Sequence, residues 1–282
     1  MKSFFQHILE RWFPQIAKMI RFRAIGQVPL HTLLSKRLFE PELALIKPLL
    51  TGTKGLCFDV GAHVGEYCYA LERCVASSRI HAFEPDPESL DLLKAFFPKI
   101  NVWNVALSNQ VGQAELRVPL LKHRRYATRG TLENFAEPGV ESLQKISIKR
   151  TTLDTFRTHL NSPICFLKID VEGHERKVLA GGKKTIQADQ PMMLIEIEER
   201  RHELPIKNIF QEIESLGYRG FFLNLRTWEL SPIASFDSKL MQNVEKIKSI
   251  DYINNFLFLP LSGVELLLQK LRQSLGAKPS KG

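Results

Sequence analysis

The chain has 282 residues, a formal net charge of +9 and a sequence pI near 9.4. This length fits one large α/β domain with appendages. The absence of an apolar run of roughly 20 residues argues against a membrane-spanning protein. The absence of a long apolar core with a small-residue cleavage site near residue 1 argues against secretion. The positive charge indicates an acidic partner such as a phosphate-bearing substrate, anionic lipid or nucleic acid.

The first 50 residues are predicted to form a helical extension. Apolar residues recur three or four apart from about residue 3 to 22, with Pro14 inside the pattern. Because this segment is also basic, we expect it either to pack on the core or a second subunit, or to lie through residues 4–20 on an anionic membrane surface. A second helix is predicted over residues 30–50, broken by Pro41 and Pro48.

A strand–helix alternation follows and is typical of an α/β fold with a mostly parallel, doubly wound sheet. The predicted main domain covers residues 51–262, and residues 263–282 form a C-terminal helix and tail. Strands are predicted at 56–60, 80–83, 102–107, 164–170, 192–198, 221–225 and 255–259, and helices at 64–75, 88–97, 175–185 and 206–216.

A β-rich insertion over residues 113–150 interrupts this alternation. It contains two alternating segments, 113–118 and 142–150, joined in part by a basic loop from Lys122 to Gly130. We expect this insertion to cover the site at the carboxyl ends of the strands and to contribute substrate contacts.

The segment FDVGAHVGEY at residues 58–67 carries the first functional signal. Gly61 permits a tight strand-to-helix turn, and Gly65 permits close packing of the helix on the sheet. The amides of the turn and of the new helix are expected to point at an anionic group. Glu84 ends the next strand, where an acid can accept hydrogen bonds from ribose hydroxyls.

The acid Asp59, directly before the glycines, indicates which nucleotide is bound. The dinucleotide fingerprint reads G-x-G-x-x-G, whereas this chain reads D-x-G-x-x-x-G. A pyrophosphate is disfavoured so close to Asp59, but the sulfonium and ammonium groups of S-adenosylmethionine suit it. The alternative is an ordinary strand–turn–helix in which Asp59 caps the helix.

Further motifs occur in the order NVWNVALSN at 101–109, TLD at 152–154 and FLKIDVEGHE at 166–175. Together with FDVGAHVGEY and AFEPDP, they resemble the FkbM-type S-adenosylmethionine-dependent methyltransferase family over about residues 55–199. The resemblance implies a Rossmann-like class I methyltransferase fold and O-methylation of sugars, glycans or related natural products. His63 departs from the Asn that is common in the family at that position.

The cofactor-binding set that we predict spans the first two strand ends, the third strand and the fourth strand end. It comprises Asp59, Gly61, Ala62, His63, Gly65, Glu66, Glu84, Pro85, Asn104, Ala106 and Asp170.

The catalytic set is predicted at the end of the fourth strand and comprises Asp170, Glu172 and His174. Removing the proton of an acceptor hydroxyl needs a base, and histidine titrates nearest neutrality. His174 is therefore the first candidate base and Asp170 the second. Alternatively, Asp170 contacts the cofactor and His174 is a surface residue in the first turn of a helix.

Glu196 and Glu198 share one face of the fifth strand, where two acids are costly unless they are paired or face a pocket. They are expected to bind substrate hydroxyls or to pair with Lys168 or an arginine. No residues have the spacing of metal ligands, so no metal site is predicted. A divalent cation between Asp170 and Glu196 is kept as an alternative.

The predicted function is an O-methyltransferase that acts on a sugar or glycan hydroxyl, with phosphate on the acceptor suggested by the basic loop. An RNA or protein methyltransferase and a non-catalytic, membrane-associated glycan-locus protein are the alternatives. Nucleic acid is disfavoured because only Tyr126 can stack in the loop. The four cysteines are interpreted as small buried side chains in a reducing compartment, which favours the cytoplasm, with peripheral contact to the inner face of the membrane as a further option.

Overall fold

The computed structural model describes residues 40–121, 124–134, 139–247 and 249–276. The predicted helix at residues 3–22 and the tail at 277–282 lie outside the described residues. The described part of the second predicted helix runs from Leu43 to Leu50 and continues through Pro48. Its five buried leucine and isoleucine side chains anchor it to the core, so Pro48 near the end does not break it.

The strands of the described chain fall into two sheets. In chain order they are β1 Leu56–Val60, β2 Ile80–Phe83, β3 Asn101–Trp103, β4 Ala106–Leu107, β5 Gly112–Leu121, β6 Arg124–Arg125, β7 Ser142–Thr151, β8 Ile164–Ile169, β9 Met192–Glu196, β10 Tyr218–Asn224, β11 Glu229–Pro232 and β12 Asn255–Pro260.

The α-helices are α1 Leu43–Leu50, α2 Glu66–Glu72, α3 Pro87–Phe96, α4 Leu153–Arg157, α5 Glu175–Gly181, α6 Lys183–Asp189, α7 Ile206–Glu214, α8 Ser238–Met241 and α9 Val264–Gly276. Within the described residues, none of these helices combines the length and the apolar character that crossing a bilayer requires.

The larger sheet of the described residues has eight strands in the order β11-β10-β12-β9-β8-β1-β2-β3. The strands from β9 to β3 are parallel, and β12, β10 and β11 are antiparallel. Alternate side chains of each central strand enter different cores: Cys57 packs with α1, α2 and α9, whereas Phe58 packs with α4 to α7. This is a Rossmann-like α/β sheet with helices on both faces.

The smaller sheet has the order β4-β7-β5-β6 and encloses a small core of its own. The predicted single strand 102–107 is divided, because the chain leaves the large sheet after Trp103 and enters the small sheet at Ala106. At this step the Asn104 side-chain amide donates to the carbonyls of Glu84 and Pro85, each at 3.1 Å. The predicted loop at 122–130 is also partly a strand, since β6 pairs with β5.

Other elements also differ from the predictions. The predicted helix 175–185 is divided into α5 and α6 at Gly182, whose Cβ position is blocked by Leu153. The strand predicted from Phe221 begins earlier, at Tyr218, and β11 was not predicted. Helix α4 was also not predicted, although Thr152 caps it by accepting from the Thr155 amide at 3.0 Å.

Candidate active site

A cavity of about 340 Å³ opens at the carboxyl ends of β1, β2, β8 and β9. This is the edge of a doubly wound sheet where ligands bind. Gly65 and Asn104 do not line it. Gly65 is the N-cap of α2, where a side chain would collide with the Phe97 ring. The Asn104 side-chain amide donates to the backbone carbonyl of Glu84. The other predicted site residues do line it: Asp59, Gly61, Ala62, His63, Glu66, Glu84, Pro85, Ala106, Asp170, Glu172 and His174.

Asp59 lies inside the cavity wall at the end of β1 and is only 2% exposed. Its Oδ2 accepts from the Cys68 thiol, with Oδ2 and Sγ 3.2 Å apart. Burial raises the pKa of Asp59 to about 6, although Cys68 and Lys168 act in the opposite direction. The alternative role of Asp59 as a helix cap is wrong, because Gly65 occupies the N-cap of α2.

The turn after β1 is shaped by Gly61, which has a φ of +80°. A Cβ at this position would overlap the carbonyl oxygen of Asp170, so no side chain fits between the two strand ends. The expected free amides are engaged within the protein. Those of Gly61 and Ala62 donate to the Phe83 carbonyl at 3.0 and 3.1 Å, and that of His63 donates to Glu84 Oε2 at 2.7 Å.

Glu84 lies at the end of β2 and is also buried. Its two carboxylate oxygens accept from the amides of His63 and Asp86, each at 2.7 Å. Burial raises its pKa to about 8, and these two hydrogen bonds only partly offset that effect. The side chain is therefore fixed in place at the cavity wall, and each carboxylate oxygen keeps capacity for a further hydrogen bond.

Three carboxylates meet at the ends of β8 and β9: those of Glu40, Asp170 and Glu196, which we call the acid cluster. One oxygen from each lies within 4.8 Å of the others. Glu40 accepts from the Tyr67 hydroxyl at 2.7 Å, and Glu196 accepts from the Asn254 amide at 2.9 Å. Burial raises the pKa of Asp170 and of Glu196. The pKa of Asp170 is raised to about 7, so its carboxylate can accept a proton near neutral pH.

Lys168 provides positive charge beside the acid cluster and is 1% exposed. Its Nζ donates to Asn255 Oδ1 at 2.9 Å and lies 4.8 Å from the centre of the Tyr67 ring. Burial lowers the pKa of Lys168, but Asp170, Glu40 and Glu196 outweigh this and raise it overall. The predicted pairing of Lys168 with acids is thus a charge interaction across a short distance, whereas the hydrogen bond of its ammonium goes to the neutral side chain of Asn255.

Glu198 does not line the cavity with Glu196. It lies beyond the end of β9, where it bonds Arg201 and the Tyr252 hydroxyl. Arg201 in turn pairs with Glu172, with Nη2 and Oε2 2.5 Å apart. The predicted arginine partner is therefore found for Glu198, and the same arginine also fixes Glu172 at the cavity wall.

His174 is buried, and both of its ring nitrogens have partners. Nδ1 lies 2.6 Å from Glu133 Oε1, and Nε2 lies 2.9 Å from Ser108 Oγ. Burial raises the pKa of Glu133, but the hydrogen bonds from His174 and Lys177 outweigh it and bring the pKa to about 2. The imidazole is therefore not a surface group, and it joins the insertion to the turn after β8.

The small sheet covers the cavity, and Arg125 attaches it to the large one. The Arg125 guanidinium forms an ion pair with both oxygens of Asp86 and also pairs with Glu88. Thr131 donates to the carbonyl of Glu172 at 2.7 Å. Arg125, a basic residue of the predicted loop, thus holds the small sheet over the cavity.

A profile of the methyltransferase FkbM domain matches residues 59–219, which is more than half of the chain. The chain belongs to the FkbM methyltransferase family. The family implies S-adenosylmethionine as the methyl donor. No curated protein matches the chain.

Two solved structures of methyltransferases are similar in fold. For an FkbM methyltransferase from Methylobacillus flagellatus KT the TM-score is 0.46 at 15% identity, with 88% of this chain and 60% of that chain covered. For a proposed RNA methyltransferase from Pyrococcus horikoshii it is 0.35 at 12% identity, with 77% and 80% covered. The present chain thus spans about 60% of the length of the first of these proteins.

The residues of the cavity fit S-adenosylmethionine. Lys168 is the only lysine or arginine among the described residues that line it, whereas the acids are Glu40, Asp59, Glu66, Glu84, Asp86, Asp170, Glu172 and Glu196. Such a lining suits a ligand with a sulfonium and an ammonium group. The apolar side chains of Phe83, Leu107 and Leu116 offer a wall for a nucleobase.

Several site residues were not predicted. Glu40 precedes Pro41 in the N-terminal extension, outside every motif, and reaches the site only through tertiary folding. Tyr67 lies inside the recognised motif, but its role as the donor to Glu40 leaves no pattern in the sequence. Glu133 and Ser108, the partners of His174, are 41 and 66 residues away from it in the chain.

Proposed function

We propose that this FkbM-family protein is an S-adenosylmethionine-dependent O-methyltransferase that acts on a hydroxyl of a sugar, glycan or related natural product. The observation that carries the proposal is the acid-lined cavity at the strand ends, in which Asp59 and Glu84 flank the Gly61 turn. Asp59 would hold the cationic end of the methionine arm and Glu84 the ribose hydroxyls. When bound, S-adenosylmethionine supplies a methyl carbon attached to a good leaving group.

We propose Asp170 as the base that removes the acceptor proton. It lines the cavity, and burial raises its pKa toward neutrality, so it can take a proton from a hydroxyl as the new bond forms. His174 is the alternative base, but it would have to release Ser108 before Nε2 could accept a proton. Glu172, fixed by Arg201, shapes the adjoining wall.

The charge of the cavity supports a hydroxyl-rich, uncharged acceptor rather than a phosphorylated one. A phosphate near the acid cluster would meet Glu40, Asp170 and Glu196, and Lys168 is the one lysine or arginine that the described part of the cavity lining offers to balance it. Arg125, which suggested phosphate in the sequence, is already paired with Asp86. The same argument disfavours RNA, whose backbone is a polyanion.

A divalent cation bound by the acid cluster remains an alternative to direct hydroxyl binding. Carboxylate oxygens are the ligands that Mg²⁺ and Ca²⁺ prefer. Methyl transfer measured with and without a chelator tests this part of the proposal. The proposed compartment is the cytoplasm, where the four free cysteines of the chain stay reduced.

The acceptor is best found by label transfer. Purified protein is incubated with methyl-labelled S-adenosylmethionine and fractionated cell extract, and labelled products are identified by mass. We expect the label in a small polyol or glycan, bound as an ether that resists mild alkali. Label that nuclease or protease treatment releases would contradict the proposed acceptor class, and the Asp59→Ala variant controls for non-enzymatic transfer.

A further inference from the structure

Two cysteine sulfurs lie close together at the end of the sheet opposite the cavity. Cys57 is near the start of β1 and Cys165 near the start of the neighbouring parallel strand β8, with their Sγ atoms 3.9 Å apart. The register of the two strands shifts between Leu56 and Cys57, and Cys57 pairs with Phe166, so Cys165 lies next to the direct partner of Cys57 on β8. A disulfide holds its two sulfurs about 2.05 Å apart, so the two Sγ atoms would have to approach by about 2 Å. The two thiols are therefore placed so that small side-chain movements can join them.

The two sulfurs differ in their surroundings. Cys57 is fully buried, whereas Cys165 is partly exposed. Arg79 Nη2 donates to Cys165 Sγ at 3.7 Å, and Thr53 Oγ1 lies 3.9 Å from the same sulfur. The guanidinium is held in place because its Nε donates to the Gly55 carbonyl at 2.5 Å. Polar groups and a positive charge thus converge on the accessible sulfur.

These contacts favour the thiolate form of Cys165 over that of Cys57. The hydrogen bond from Cys57 lowers the pKa of Cys165, as do Thr53 and Arg79, although partial burial opposes them. The same hydrogen bond and burial raise the pKa of Cys57. By contrast, burial raises the pKa of Cys74 and of Cys68. A low-pKa, accessible cysteine beside a second thiol is the arrangement of peroxide-sensitive sites.

We propose that Cys165 and Cys57 form an oxidation site that reacts with hydrogen peroxide or an organic hydroperoxide and closes to a reversible disulfide. The inference rests on the Cys57–Cys165–Arg79 geometry and is independent of the methyl-transfer proposal. It assigns these two cysteines a role beyond that of small buried side chains.

The chemistry has two balanced steps. The Cys165 thiolate attacks the peroxide, and the O–O bond breaks as the S–O bond forms. With one proton taken up, the products are a sulfenic acid and water, or a sulfenic acid and an alcohol when the oxidant is an organic hydroperoxide. The Cys57 thiol then displaces hydroxide from the Cys165 sulfur, and that hydroxide leaves as water with the Cys57 proton. In sum, two thiols are oxidised by two electrons and the peroxide is reduced. An excess of a dithiol reduces the Cys57–Cys165 disulfide back to two thiols by thiol–disulfide exchange.

Thiol mapping of the full chain tests the proposal. The reduced protein is treated with hydrogen peroxide at pH 7, the remaining thiols are alkylated, and the peptides are analysed by mass. We expect a cross-linked peptide pair that contains Cys57 and Cys165 and that disappears on reduction. We also expect Cys165 to be alkylated about tenfold or more faster than Cys74 at this pH, because the reactive species is the thiolate.

Conservative variants separate reactivity from structure. In Cys57→Ser, Cys165 is expected to stop as a sulfenic acid that dimedone traps, and in Cys165→Ser, Cys57 is expected to stay reduced. Cys74→Ser is the matched control and should leave the cross-link unchanged. Circular dichroism of each variant shows whether it has folded. A folded protein in which Cys165 reacts no faster than Cys74, or in which no Cys57–Cys165 peptide forms, would overturn the proposal.

Discussion

The Asp59–Glu84 side of the cavity and the acid cluster hold their carboxylates by different means. Glu84 is fixed by backbone amides of the adjoining loops, and Asp59 by a thiol one helix turn into α2. The acid cluster draws Glu40, Asp170 and Glu196 from segments far apart in the chain and is balanced by the single ammonium of Lys168. The Asp59–Glu84 side is therefore built by contacts that are local in the chain. The acid cluster depends on the tertiary fold and on the charge of Lys168.

The largest expected effect is on turnover, at the acid cluster. Asp170→Asn is expected to lower methyl transfer by about 10²–10⁴-fold, the usual contribution of a general base, because the amide cannot accept the proton. Its affinity for S-adenosylmethionine should change far less, as calorimetry can show. His174→Gln is the comparison variant. If that variant lost turnover while Asp170→Asn kept it, the base would be His174.

The next effect is on stability and tests whether one charge balances the acid cluster. Lys168→Met removes a buried ammonium and leaves the half-buried carboxylates of Asp170, Glu40 and Glu196 without their cation, which is expected to cost about 3–5 kcal/mol in the free energy of unfolding. Urea denaturation measures this. The exposed Lys145 on β7 offers a matched control, and Lys145→Met should change stability by less than about 0.5 kcal/mol. Equal stability of the two variants would show that the acid cluster does not need the Lys168 ammonium to offset its charge.

The Asp59–Glu84 side should respond to pH. Because burial raises the pKa of Asp59 to about 6, its carboxyl is protonated below that pH, and the neutral form attracts a sulfonium poorly. Affinity for S-adenosylmethionine should therefore fall roughly tenfold per pH unit below about 6. Titrations between pH 5 and 8 measure this, and Asp59→Asn should bind weakly with a flatter profile. A wild-type affinity that rises as the pH falls would contradict the role of Asp59.

The smallest effect concerns the N-terminal segment. If residues 4–20 contact an anionic membrane surface, deletion of residues 1–25 should reduce flotation with vesicles that contain phosphatidylserine, and neutral vesicles should show no difference. Equal flotation of both proteins would leave packing on the core or on a second subunit as the remaining role for this segment.

The contrast between the two sides also explains how much the sequence could predict. Asp59, Gly61 and Glu84 lie at the ends of two neighbouring strands, so their spacing alone predicted a shared pocket. That spacing could not show that the amides of Gly61 and Ala62 donate to the Phe83 carbonyl. These hydrogen bonds depend on how far the pairing of β1 and β2 extends. The doubly wound class followed from the alternation of strands and helices, and the insertion from the break in that alternation.

The acid cluster and the surroundings of His174 could not be predicted in the same way. Asp170 and Glu196 end neighbouring strands, so their proximity was expected, but Glu40 joins them through a hydrogen bond from Tyr67 that no periodic pattern encodes. His174 was assigned a role from its type and position. Its engagement by Glu133 and Ser108 arises from the packing of the small sheet, which brings together distant segments.

Calorimetric titration of the purified protein with S-adenosylmethionine, and separately with a nicotinamide dinucleotide, tests the central claim most directly. We predict binding of the sulfonium compound alone, weakened about tenfold or more in Asp59→Ala and in Glu84→Ala, which corresponds to about 1.4 kcal/mol or more for each lost side chain. Binding of the dinucleotide without S-adenosylmethionine, or affinity for S-adenosylmethionine unchanged in both variants, would contradict the account.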